Sequence, residues 1–221
     1  MKYIIANWKM NLNEIQVEAW IKNFRDSSQG KVFKSTIILA PSTPYLEKVY
    51  ENASALKVQV SSQDVSSFDK GAHTGETGEF QIKDFCTYSI VGHSERKEPR
   101  DVVLQKAAHC MNAEITPVVC FTNPNEVSQY YKSGYILAWE DPQNISQNGV
   151  YREKDPQDIV NSFASMRTKI PENAVLLYGG SVNRQNIQTL VKIHGLDGVL
   201  VGNASLDPQH FLDIVASFED Y

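Results

Sequence analysis

The chain has 221 residues, 42% of them hydrophobic and 21% charged, and a formal charge of −5 at pH 7. These values exclude a disordered, fibrous or collagen-like chain and describe an ordinary globular protein. The negative balance gives no electrostatic footing for nucleic acid or an anionic membrane surface, so an anionic ligand needs a local cationic site.

Cys86, Cys110 and Cys120 are odd in number, widely spaced and free of any C-x-x-C pair. Free thiols in a reducing compartment are therefore expected, rather than a disulfide framework or a zinc site. The N-terminal apolar run is too short for a signal segment, and no stretch has the apolar length to span a bilayer. A cytoplasmic protein is the expectation, and the sequons at Asn52, Asn144 and Asn203 are read as chance.

Eight short apolar runs recur along the chain, at 3–6, 36–40, 58–60, 89–91, 116–120, 135–139, 175–178 and 198–201. They are continuous rather than alternating, which suits strands covered on both faces of a parallel sheet. Segments of helical period lie between them. Leu46, Val49, Tyr50 and Ala53 mark one such face, Leu104, Ala107, Ala108 and Met111 another, and Phe211, Ile214, Val215 and Phe218 a third. Repeated strand–helix alternation predicts an α/β fold, a single (β/α)8 barrel over residues 1–221, with no linker or repeat dividing it. In such a barrel the loops just past the strands build the site.

The first run leads into Asn7-Trp8-Lys9-Met10-Asn11, where Lys9 is placed to neutralise an anion, although an isolated lysine is more often simply solvated. After the third run comes the polar, glycine-rich Gly71-Ala72-His73-Thr74-Gly75-Glu76-Thr77-Gly78, longer than a connector requires and suited to contacting a partner. The fourth run ends in Gly92-His93-Ser94-Glu95. Ser94 reads as a helix N-cap, which puts His93 at the positive end of that helix as a neutral hydrogen-bond donor. After Cys120 the chain reaches Tyr135 in 15 positions, enough for one short helix with Val127, Tyr130 and Tyr131 on its apolar face, a shortened fifth βα unit. The sixth run ends in Trp139-Glu140. A carboxylate there is either a partly desolvated base with a raised pKa or the first solvated residue of a loop, and local sequence favours neither. Gly179-Gly180-Ser181 and Gly202-Asn203 end the last two runs. Either glycine turn alone is weak evidence, but two in neighbouring loops suit backbone N–H groups approaching a phosphate.

The segments NWKMN, GAHTGE, VGHSERK, TPVVC, LLYGGSV and LVGNASL, in that order, resemble the signature of the triosephosphate isomerases, from Lys2 to about Phe218. The resemblance implies interconversion of dihydroxyacetone phosphate and glyceraldehyde 3-phosphate without cofactor or metal. The residue roles are carried over from the family. Glu140 abstracts the carbon-bound proton, neutral His93 polarises the carbonyl, Lys9 offsets developing charge, Asn7 orients the substrate and Glu95 supports the site. Backbone groups near Ser181, Gly202 and Asn203 hold the phosphate, joined by Ser146 from a closing lid. The loop from Gly71 to Gly78 docks into a second subunit, with Thr74 reaching its site, so a homodimer is implied.

The departures from the family cluster around Glu140. Asp141 stands in place of a hinge proline, Gln143 of a tryptophan, and Ser146 of the first lid glycine; with Pro142 as the hinge, the register shifts by one. Asn203 replaces a glycine and is read as tolerated because asparagine adopts the left-handed conformation. Another phosphate-binding barrel isomerase or aldolase would explain the glycine turns but not Lys9, His93 and Glu140 together. A catalytically impaired binding barrel has only the altered lid in its favour.

Overall fold

The computed structural model describes residues 1–144 and 151–219. Eight parallel strands close into a ring in chain order. They are β1 (Tyr3–Asn7), β2 (Thr36–Ala40), β3 (Gln59–Ser62), β4 (Tyr88–Val91), β5 (Thr116–Phe121), β6 (Ile136–Trp139), β7 (Val175–Tyr178) and β8 (Gly198–Val201). The helices are α1 (Glu14–Ser28), α2 (Leu46–Leu56), α3 (Glu79–Ile82), α4 (Arg100–Asn112), α5 (Val127–Tyr130), α6 (Pro156–Arg167), α7 (Ile187–Leu190) and α8 (Pro208–Glu219). The expected (β/α)8 barrel is the fold. β3 is the one strand displaced from its apolar run, because Ser61 and Ser62 are buried there and Ser62 hydrogen-bonds Ser89 of β4 at 2.7 Å.

Successive side chains on a strand point to opposite faces. Ile5, Ile38, Ala40, Ile90, Val118, Cys120, Ile136, Ala138, Leu177 and Leu200 fill the barrel interior. Their neighbours Ile4, Leu39, Val91, Val119, Leu137 and Leu176 face the helices in a second, larger core. The closing seam pairs Tyr3 with Gly198. A Cβ on Gly198 would lie 1.8 Å from the Tyr3 carbonyl oxygen, and its φ of +149° is one that side chains rarely adopt.

The outer layer rests on aromatic packing. Trp20 stacks on Phe24 at 4.9 Å, lies 4.8 Å from Trp8, and donates from Nε1 to the Ser205 carbonyl at 2.9 Å, tying α1 to the turn before α8. The start of α1 is fixed by a reciprocal capping box between Asn13 and Gln16. The expected face of α8 is buried in full, whereas α2 leaves Tyr50 half exposed. On α4 the expectation is corrected: Val103, Lys106, Ala107 and Cys110 face inward and Met111 is exposed. Lys106 sets that rotation, its buried ammonium lying 2.6 Å from Glu98 and 2.8 Å from Asp64. The fifth unit consists of a 3₁₀ turn at Pro124–Glu126 and four-residue α5, with Val127 buried and Tyr130 and Tyr131 packed on the core. Since α3 and α7 are equally short, α5 is not set apart by length. No helix among the described residues is long and apolar enough to cross a membrane.

Gly198→Ala is expected to destabilise the protein by about 3 kcal/mol, since overpacking against backbone combines with a strained φ. Urea denaturation should show a lower midpoint at an unchanged slope.

Candidate active site

Alternation brings the site together. Asn7 follows the inward Ile5 by two residues, and Glu140 follows the inward Ala138 by two, so both continue the interior face into the mouth of the barrel. Both are buried, Glu140 to 1% exposure. Asn7, Lys9, His93, Glu140, Gly179, Gly180, Val182, Leu200, Gly202 and Asn203 line one small cleft there.

His93 reaches this cleft because Gly92 turns the chain with a φ of +72°. Ser94 does not begin a helix, as had been expected. Residues 94–96 form a turn closed by the Arg96 N–H on the His93 carbonyl at 2.8 Å, and α4 starts only at Arg100. That turn performs the task assigned to a helix terminus. The Glu95 N–H donates to His93 Nδ1 at 3.3 Å, which leaves Nε2 to carry the proton and donate to Glu140 Oε1 at 2.9 Å. The hydrogen-bond pattern therefore assigns a neutral imidazole. Arg96 anchors the turn through Asp64 at 2.9 Å and Glu98 at 3.0 Å.

Glu140 Oε2 accepts the Ser94 N–H at 2.8 Å. Burial alone raises the pKa of this carboxyl, but the contacts with His93, the Ser94 N–H and the Lys9 charge outweigh it and hold the group below its ordinary value. The expected upward shift is thus reversed while Glu140 is engaged in this way. Cys120, beneath it on β5, has its thiol pKa pushed well up by burial and by the Glu140 carboxylate.

Lys9 adopts a φ of +52°, uncommon for a residue with a side chain. Its N–H donates to Asn7 Oδ1 at 3.1 Å. Its carbonyl accepts from Ser42 Oγ at 2.7 Å and Gln63 Nε2 at 3.0 Å. Its ammonium meets Glu95 at 2.6 Å, and its Cε comes within 3.3 Å of where a Gly202 Cβ would sit. Sequence reasoning missed Ser42 and Gln63. Their only sequence signal is a polar residue just past β2 and β3, the position from which every site residue comes.

The glycine turns lie where expected, for partly different reasons. A Cβ on Gly179 would be 2.8 Å from Glu140 Cγ, and one on Gly180 would be 2.1 Å from the Tyr178 hydroxyl. These glycines make room for the base and for Tyr178, and neither has a positive φ. The Ser181 N–H donates to the Asn144 carbonyl at 2.8 Å. Asn203 is not left-handed; it opens the 3₁₀ turn Asn203–Leu206 after Gly202, and its side chain donates to the Tyr151 hydroxyl at 3.2 Å. Ser146 lies outside the described residues. Thr74 is exposed on the β3–α3 connection, away from the cleft. No group of three potential metal ligands occurs among the described residues.

A closed parallel barrel whose mouth holds a buried carboxylate, a neutral imidazole, an ammonium and two glycine turns defines the class: a (β/α)8 enzyme equipped for proton transfer on an anionic substrate. The model of the triosephosphate isomerase family matches residues 2–218, and the chain belongs to that family. Its relatives include triosephosphate isomerases from Dictyoglomus turgidum, 30% identical over 98% of this chain and 99% of the relative, and Polynucleobacter asymbioticus, 31% identical over 96% and 97%. The enzyme of the same name from Buchnera aphidicola is 28% identical over 96% and 95%.

A carboxylate with a lowered folded-state pKa stabilises the fold above its unfolded pKa, about 4.3, and loses that contribution as pH falls through the folded value. Stability measured by urea from pH 7 down to pH 3 should therefore fall more steeply for wild type than for Glu140→Gln. Parallel profiles would show that Glu140 is not ionised against His93.

Proposed function

We propose that this protein is a triosephosphate isomerase that interconverts dihydroxyacetone phosphate and glyceraldehyde 3-phosphate, a step shared by glycolysis and gluconeogenesis. The observation that carries the reading is the convergence of Glu140, His93 and Lys9 on one cleft beside the two glycine turns. Glu140 exchanges its bonds to His93 and Ser94 for the substrate, takes a proton from the carbon next to the carbonyl, and returns it to the other carbon. The His93 Nε2–H donates to the carbonyl oxygen and accepts the hydroxyl proton in turn, so both protons are accounted for. Lys9 offsets the charge of the enediolate and the phosphate, and Asn7 orients the substrate while holding the Lys9 N–H. Glu95 supports both partners, through its backbone to His93 and its carboxylate to Lys9. Backbone N–H groups at Ser181, Gly202 and Asn203 take the phosphate.

This chemistry needs an acceptor for the proton, a donor for the oxygen and a positive charge, all supplied by side chains, so neither cofactor nor metal is required. The continuous family match supports one barrel domain. A cytoplasmic location accords with three buried free thiols. A homodimer through the loop 71–78, with Thr74 reaching the neighbour's site, accords with the exposed apolar side chains nearby. Met10, directly after Lys9, is 95% exposed, Ile15 is 77% exposed, and Phe68 and Phe80 flank the loop.

A coupled assay with either triose phosphate should give turnover for wild type and a kcat lower by about 10²–10⁴-fold for Glu140→Gln. Normal turnover in the variant would remove Glu140 from the role of base. Sedimentation should give twice the 24.9 kDa chain mass, and a monomer at working concentration would refute the dimer.

A further inference from the structure

Glu140 is flanked by two residues that share one cation. Lys154 Nζ lies 2.8 Å from Asp141 Oδ2 and 5.9 Å from the centroid of the Trp139 ring. A single ammonium group thus touches the residue before the base and the residue after it. Both ends of this contact are anchored. Lys154 precedes Asp155, which caps α6 by accepting the Gln157 N–H at 2.8 Å. Trp139 is buried, donates from Nε1 to the Thr122 carbonyl at 3.1 Å, and packs edge-on against Phe163 of α6. Asp141 in turn organises the chain that follows it: Oδ1 accepts the Gln143 N–H at 3.0 Å and its carbonyl accepts the Asn144 N–H at 2.9 Å.

We propose that Lys154 is a positioning residue for catalysis, clamping Asp141 and Trp139 so that the backbone at Glu140 holds its carboxylate in register with the cleft. The inference rests on Glu140 being the base. It explains how this chain aims that residue although Asp141 and Gln143 stand where the family carries a proline and a tryptophan. Fixing the neighbours on both sides restrains the backbone torsions at Glu140, and a catalytic group displaced by about 1 Å loses on the order of 10²-fold in rate. The pair is suited to the task because its side chains are 21% and 19% exposed, which shields the contact from solvent without an unpaired charge being buried. A cation over an aromatic face adds to the hold on the same side.

The test measures steady-state isomerisation by wild type, Lys154→Met, Asp141→Asn, the double variant and Lys154→Arg, with melting temperature and circular dichroism recorded for each. Lys154→Met should lower kcat about tenfold while KM changes less than about threefold, the signature of a misaimed base rather than lost binding. Lys154→Arg, which keeps both the charge and the aromatic contact, should recover most of that loss. The double variant should lose no more than the worse single one, because both substitutions break the same contact. A kcat within twofold of wild type in both single variants, or losses that multiply in the double variant, would overturn the clamp, as would a fall in melting temperature with kcat intact. If Lys154→Met does not fold, the isosteric Asp141→Asn decides by the same criterion. Wild-type protein inactive on both triose phosphates would overturn the isomerase reading itself and the catalytic role of Lys154 with it, whereas active wild type with undiminished variants overturns the clamp alone.

Discussion

Closure of the strand ring fixes which side chains enter the mouth. Once β8 pairs with β1, every strand has two neighbours, no edge remains, and each side chain is assigned to the interior or to the helical layer by counting in twos. Ile5 and Ala138 point inward, so Asn7 and Glu140 must too. The seam that closes the ring runs along Gly198, where the backbones of β1 and β8 approach too closely for any side chain. The positions of Asn7 and Glu140 are thus consequences of a pairing made at the opposite end of the strands.

Within that frame the site solves an electrostatic problem by mutual satisfaction. A carboxylate in a nearly dry mouth is costly unless its oxygens have donors. Glu140 has two, the imidazole of His93 and the N–H of Ser94, and both come from a single turn of chain. The same turn supplies the N–H that selects the His93 tautomer and the carboxylate that holds Lys9. Although the protein is negative overall, the cleft meets an anion with an ammonium and N–H groups, so net charge says little about what the mouth receives.

Much of this was legible from sequence, and the gaps have physical causes. The eight runs were readable because strands covered on both faces carry continuous apolar residues. Lys9 and His93 were marked by local motifs, while Glu140 stood undecided because its local surroundings fit a solvated loop equally well. Counting in twos from Ala138 would have turned it inward. The helix read at Ser94 failed because a capping signature is shared by isolated turns, and only the distant Asp64 and Glu98 decide which one forms. The face of α4 was misplaced because Lys106, a charged residue, is buried by ion pairs that no periodicity reveals. Ser42 and Gln63 were invisible for a related reason: they hold a carbonyl, and a carbonyl belongs to every residue alike.

That carbonyl belongs to Lys9, whose left-handed backbone carries a cost a glycine would escape, on the order of 1–2 kcal/mol. Its ammonium gives little back to the fold, since the pair it makes with Glu95 is open to solvent. Selection for heat resistance alone would therefore favour glycine at position 9, and would do so by discarding the only lysine lining the cleft. The most robust version of this barrel and the most capable one are different molecules, and they part at the third residue from the end of the interior face of β1.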